Sequence, residues 1–221
     1  RLYSRTAMAE SPTAGEGAFE LNAGRLCLDF TNTVRTRPLS DKIELINDYG
    51  DLLSWARQAT ILTTGEAAAL AETARRQPRA AADALTQARA LREALYGLFS
   101  ARTAGLPAPT SDLHTINKAI AKAMTRAGLS PSARGGFEWS WPDAPLGADR
   151  VAWWVARSAA ELLTSKDLTG VRECAGYDCG RLFMDGTKNR SRRWCDMASC
   201  GNRAKGRRHY ERRKSTRRRA G

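Results

Sequence analysis

The chain has 221 residues, 42% of them hydrophobic, with a mean hydropathy of −0.49 and a formal net charge of +13. That length allows one domain of ordinary size and a small second module. No run of about 18 apolar residues reads as a bilayer span and no apolar core follows a basic N-terminus as in a secretory signal, so a cytoplasmic protein is expected.

The charge is unevenly placed. Residues 171–221 hold 16 of the 36 Lys and Arg but only 5 of the 23 Asp and Glu, a net of +11, which leaves +2 for everything before them. An ordinary body thus carries an electropositive tail, and excess Lys and Arg attract a polyanion by releasing its counterions.

In chain order, residues 1–17 are rich in Ser, Thr, Gly and Ala and are expected to be flexible. A helical domain is expected over 18–168. Phe19 to Val34 contains a Gly turn and a compact apolar set, Leu26, Cys27, Leu28 and Phe30, read as a strand or turn leading into a buried helix. Leu52, Leu53, Trp55 and Ala56 stand at helical spacing. Thr63 and Glu66 form a capping box for the Ala-rich helix that follows. Pro78 suits a first helical turn, and Leu85, Ala88, Leu91, Leu95, Leu98 and Phe99 make one stripe of a long helix over 78–104.

Residues 111–127 repeat that pattern with Leu113, Ile116, Ile120 and Met124. The alternation Phe137-Glu138-Trp139-Ser140-Trp141, between Gly135-Gly136 and Pro142, predicts a half-buried strand. Helix returns over 147–165, with Val151, Trp154, Val155, Ala159, Leu162 and Leu163 facing inward, and residues 166–170 make a short connection. The fold expected is mainly α with a small β element, an N-terminal helical domain followed by a small C-terminal module.

Four cysteines follow as Cys174-x4-Cys179-x15-Cys195-x4-Cys200. Two knuckles that each offer two thiolates satisfy the tetrahedral preference of zinc, so one structural Zn2+ is expected on Cys174, Cys179, Cys195 and Cys200. Two disulfides or four buried thiols are the alternative. So charged a segment has few large apolar groups with which to build its own core, and a metal takes that place. Such a site leaves no open position for a catalytic water. His114 and His209 are the chain's only histidines, and no P-loop or dinucleotide fingerprint occurs, so an enzyme is not expected. Catalysis through Asp29, Asn32 or Cys27 is the alternative.

The run Cys195-Asp-Met-Ala-Ser-Cys200-Gly201-Asn202-Arg203-Ala-Lys205, preceded by Leu182-Phe183-Met184-Asp185 and Asn189-Arg190-Ser191-Arg192-Arg193-Trp194, resembles the CGNR zinc finger over about 171–214. The N-terminal LCLDFTNTV, with Asp29 and Asn32, resembles the start of the ABATE domain that usually precedes this finger. The resemblance implies a bacterial, stress-related transcription regulator in which the four cysteines hold zinc and the finger binds DNA.

The residues that follow Cys200 predict a helix to about Lys214, with Asn202 as a candidate N-cap, and a disordered basic tail over 215–221. Arg203, Lys205, Arg207, Arg208, Arg212 and Arg213 on that helix, with Lys188, Arg190, Arg192 and Arg193 in the loop, are the expected nucleic-acid contacts. If roughly five to eight of them meet phosphates, affinity falls with salt with a slope near −0.9 per contact. Trp194 is expected to pack over the metal rather than on a base. Asp185 and Asn189 are read as orienting the loop, and Asp178 as bonding a knuckle. Duplex DNA is the expected partner, with RNA as the alternative. The helical domain is expected to sense a small-molecule effector, with Asp29 and Asn32 as ligand-pocket candidates, or to mediate homodimerisation. The indoles Trp139, Trp141, Trp153 and Trp154 are read as packed core, with a ligand pocket as the alternative.

Overall fold

A computed structural model of the chain describes residues 19–133, 135–141 and 147–219, with the side chains of 213–219 excepted. The expected flexible N-terminus, Pro142 and the last two residues lie outside that range.

Seven α-helices dominate the described residues, in the order α1 (Leu26–Thr31), α2 (Tyr49–Gln58), α3 (Thr64–Arg76), α4 (Pro78–Thr103), α5 (Thr110–Met124), α6 (Arg150–Leu163) and α7 (Asn202–Arg219). Three two-stranded antiparallel pairs join them: β1 (Val34–Arg35) with β2 (Ile43–Glu44), β3 (Gly128–Pro131) with β4 (Phe137–Ser140), and β5 (Val171–Glu173) with β6 (Leu182–Met184). The boundaries follow local chemistry. Thr63 and Glu66 form the expected reciprocal cap of α3, and Pro78 opens α4 where its missing N–H costs nothing.

The long helix α4 is the hub, packing against α1, α5 and α6 and burying Ala88, Leu91, Leu95, Leu98 and Phe99. Its Arg92 is also buried, held by Glu44, Glu93 and the Thr33 hydroxyl, so the β1–β2 pair is tied to the helix by charge-assisted bonds.

Three inward-facing expectations are corrected. On α5 only Ile116 and Ala123 are buried, because the packed stripe runs through Ile116, Ala119, Ile120 and Ala123 and leaves Leu113 and Met124 on its flank. On α6 the buried indole is Trp153; Trp154 is half-buried and meets Trp141 edge-on, with ring centroids 4.7 Å apart. In the β3–β4 hairpin Leu129 pairs with Trp139 and Pro131 with Phe137, so all four share one face. That face points outward, with Phe137 76% exposed. The aromatic that enters the core is Trp141, one residue past the strand, where its indole N–H donates to the Ala123 carbonyl at 3.1 Å.

A 3₁₀ turn (Lys166–Gly170) leads from α6 into β5. The finger does not stand apart beyond it. Val171 and Leu182 belong to the same buried cluster as Leu28, Phe30 and Leu95. The Ala23 carbonyl accepts from the Met184 N–H, Tyr96 and Ser100 of α4 both donate to Glu173, and the nearly buried Arg181 reaches Glu20 and Asn22. Gly180 has φ +63°, and a Cβ there would lie 2.8 Å from the Arg37 Cβ. The backbone next to Cys179 therefore sits directly on the helical body.

Candidate metal centre and nucleic-acid interface

The β5–β6 hairpin ends in the first knuckle: Cys174 follows β5, Cys179 precedes β6, and the Cys174 N–H donates to the Arg181 carbonyl. Cys195 precedes, and Cys200 lies within, a π turn (Met197–Gly201) whose N-cap is Asp196, its carboxylate accepting from the Ala198 and Ser199 N–H groups. All four cysteines are buried and their sulfurs lie within 4.8 Å of one another. Cys179 and Cys195 are 3.6 Å apart at Sγ, and Cys195 and Cys200 3.7 Å. A disulfide needs about 2.05 Å. Four thiolates at about 2.3 Å from a tetrahedral zinc stand about 3.8 Å from each other, so these spacings fit the metal and not the disulfide alternative.

The electrostatics agree with that fit. Donation from Cys179 and Cys195 favours the Cys174 thiolate, while the same contact with Cys174 opposes ionisation of Cys179 and Cys195. Sulfurs this close cannot all be thiolates without a cation between them. The outer layer also favours thiolates: the Cys195 N–H points at the Cys174 sulfur at 3.3 Å, and Arg203 donates to the Cys200 sulfur at 3.2 Å.

The residues after Cys200 build the corner. A Cβ at Gly201 would lie 2.7 Å from the Met197 sulfur, so a larger residue there would have to displace the end of that exposed side chain. Asn202 donates its side-chain amide to the Ala198 carbonyl; it locks the turn rather than capping α7 as expected. Asp185 accepts from the Thr187 N–H and hydroxyl and from the Arg192 N–H, holding the loop as the sequence suggested. Trp194 packs against the cysteine cluster. Asp178 pairs with Arg203 at 3.4 Å instead of bonding a knuckle.

The basic residues separate into two groups. Arg192 lies over the Phe183 ring at 4.7 Å and donates to the Trp194 and Cys195 carbonyls, Arg190 donates to the Thr169 hydroxyl, and Arg203 serves the metal ligand. These three help to build the finger. Lys188, Arg193, Lys205, Arg207, Arg208 and Arg212 are exposed. The side chain of Arg213 lies outside the described residues.

Helix α7 continues to Arg219, past the end expected near Lys214, because no Gly or Pro interrupts residues 207–219 and Arg and Lys are good helix formers. From Asn202 to Arg212 every residue is exposed except Ala204, which is half-buried. Between α7 and the first knuckle runs a groove of about 570 Å³ lined by Tyr177, Arg193, Trp194, Arg203, Arg207 and Arg208. Arg207 stacks on the Tyr177 ring at 3.4 Å. Tyr177 belongs to no motif of the sequence; its one signal is that it is an aromatic between two ligands in a segment with almost no core to fill.

Asp29 and Asn32, offered as ligand-pocket residues, face the chain's own backbone. Asp29 accepts from the Ala23 N–H at 2.9 Å, and Asn32 pairs with both the N–H and the carbonyl of Leu182. Cys27 is fully buried, with its thiol pushed up to about 12 by desolvation. The LCLDFTNT segment is the seat of the finger.

Residues 24–166 match the model of the ABATE family, described as "Putative stress-induced transcription regulator". The chain belongs to the ABATE family. In this ABATE protein residues 171–213 match the CGNR zinc finger, so the four-cysteine cluster is the structural zinc centre of that finger. No curated protein is similar to the chain at a significant level. Among the described residues no helix is long and apolar enough to cross a membrane.

Proposed function

We propose that this ABATE protein is a zinc-dependent transcriptional regulator whose finger binds duplex DNA through α7 and the Lys188–Arg193 loop, and whose helical body senses a ligand or partner. The observation that carries the reading is a zinc-anchored helix with no apolar face. With Arg203 committed to the Cys200 sulfur, the stretch from Asn202 to Arg212 still offers Lys205, Arg207, Arg208 and Arg212 against one acidic residue, Glu211. Packing normally stabilises a helix by burying one face. Helix α7 buries none over that stretch, and its like charges repel one another, so a polyanion is the partner that completes it. Arginine outnumbers lysine there, which suits bidentate contacts to phosphate and to guanine.

The zinc centre is a scaffold for this surface. Four thiolates close the coordination sphere, and the metal's chemistry when bound is to fix the two knuckles, the π turn and hence the direction of α7. The residues of the chain do the recognising.

The test measures zinc content and DNA binding together. Wild type and Cys195→Ser are titrated against a pool of random duplexes at several salt concentrations. Stoichiometric zinc with enrichment of one sequence, both lost in the variant, is the expected result. Zinc with stronger binding to RNA than to any duplex makes the finger an RNA module. A protein that purifies without zinc overturns the reading.

A further inference from the structure

The first knuckle meets α7 through two arginines one helical turn apart and therefore on one face of the helix. Asp178 pairs with Arg203, and Tyr177 lies under Arg207, whose guanidinium carbon stands 3.4 Å from the centre of the ring. At that separation the guanidinium can only lie flat, since an edge-on approach would drive a nitrogen into the ring. Both partners are exposed, Tyr177 at 60%, so the pair is not a product of core packing.

The stack engages the face of the guanidinium and leaves its edge free. All five N–H donors lie on that edge, and Arg207 makes no hydrogen bond or ion pair among the described residues. Glu211 stands four residues further on, at the spacing where helical ion pairs form, and the two do not join. Its basic neighbours are held differently. Arg193 lies 5.3 Å from the Trp194 ring, and Arg208 turns back to the Ala204 carbonyl at 3.4 Å. Arg207 has its plane fixed and its donors unspent.

We propose that Arg207 is the base-reading residue of the finger, taking guanine through O6 and N7 in the major groove, and that Tyr177 is its positioning residue. The inference deepens the duplex-DNA reading above and rests on it. Two parallel bonds to one base edge require a guanidinium whose plane is set before contact. A free arginine loses rotamer freedom when it docks, whereas a stacked one has lost it already. A phosphate asks for less, because it accepts positive charge from many directions and loose side chains such as Lys205 suffice. Arg207 also stands in the second turn of α7, and it is the N-terminal part of a recognition helix that reaches base edges. Tyr177 lies between the ligands Cys174 and Cys179, so the zinc centre fixes the ring and through it the arginine.

The test uses the zinc-loaded full chain, first without nucleic acid. The ring current of Tyr177 is expected to move the Arg207 side-chain protons upfield in the NMR spectrum, a shift lost in Tyr177→Ala and kept in Tyr177→Phe. The duplex that wild type selects from a random pool is then varied base pair by base pair. Arg207→Lys keeps the charge but cannot make the paired bonds, and is expected to lose about tenfold in discrimination at one guanine with the salt slope unchanged. Tyr177→Ala is expected to weaken the preference at that same guanine, Tyr177→Phe to restore it, and Arg208→Lys to leave it intact. Should Tyr177→Ala lose zinc, Arg207→Lys decides alone. Unchanged discrimination in Arg207→Lys would place Arg207 on a phosphate, and uniformly weaker binding at every sequence would make it a tether for α7. Either result, or unshifted Arg207 protons in wild type, overturns the inference while the duplex reading stands. A wild type that selects no duplex sequence overturns that reading, and the inference with it.

Discussion

Asn32 and Leu182, 150 residues apart, are joined by two hydrogen bonds: the Asn32 amide donates to the Leu182 carbonyl at 2.8 Å and accepts from its N–H at 3.0 Å. A side-chain amide thus acts as an extra strand residue for β6, and fastens the finger to α1. Both residues are buried, so Asn32→Ala strands a donor and an acceptor out of water. The expected cost is ~2–4 kcal/mol, read from urea unfolding of the zinc-loaded protein. A loss below half a kcal/mol would mean that the pairing is incidental.

The shared core has a consequence for metal removal. Val171 and Leu182 pack with the helices, so loss of zinc should not unfold the finger alone. Chelation is expected to lower the melting temperature of the whole chain, by about 2–4 °C for each kcal/mol of coupling. Calorimetry with and without chelator decides between one transition that moves as a unit and a helical transition that stays where it was. The second outcome would show two independent modules.

The helices were legible because each is a local object: a cap such as Thr63 with Glu66, or a stripe such as Leu91, Leu95 and Leu98, is written in consecutive residues. The zinc centre was legible for the same reason, since ligand spacing fixes which sulfurs meet. What escaped depends on partners far away in the chain. Nothing around Asn32 announces Leu182, and nothing about Glu173 announces Tyr96 and Ser100. The hairpin alternation showed that Leu129 and Trp139 share a face but not which way the face turns. Arginines are the hardest case. Arg192 and Arg208 look alike in a basic run, and what separates them is that Arg192 is half-buried on Phe183 and the Trp194 and Cys195 carbonyls, whereas Arg208 is exposed and reaches only the Ala204 carbonyl of its own helix.

Burial raises the Asp29 carboxyl from 3.8 to about 7, against the opposing pull of the Ala23 N–H and Arg181. The folded state therefore holds this proton more tightly than the unfolded chain, and the stability it contributes is present at low pH and lost as pH rises through the folded value. In Asp29→Asn the side-chain oxygen still accepts from Ala23, but the ionisation is gone. The variant is expected to gain ~2 kcal/mol on wild type between about pH 5.5 and pH 8, the thiolate contributions cancelling in the comparison. Urea midpoints measured in parallel would test it; curves that keep a constant separation would sink the assignment.

The two groups of arginine should fail in opposite ways. Arg192→Ala removes a guanidinium that holds two carbonyls beside the zinc ligand Cys195, so zinc affinity should fall about ten- to a hundredfold in a chelator competition. Arg208→Ala removes an exposed side chain whose one hydrogen bond, to the Ala204 carbonyl, lies within its own helix, and should leave zinc affinity unchanged. Its expected defect is in the salt dependence of DNA binding, with the slope of log K against log salt reduced by about 0.9 if Arg208 meets a phosphate. Zinc loss from Arg208→Ala, or an unaltered zinc affinity in Arg192→Ala, would break the division of labour inferred from the contacts. Restoring the charge as Arg192→Lys separates field from geometry: an ammonium keeps the positive charge but cannot span both carbonyls or lie flat on Phe183, so it should recover little of the zinc affinity.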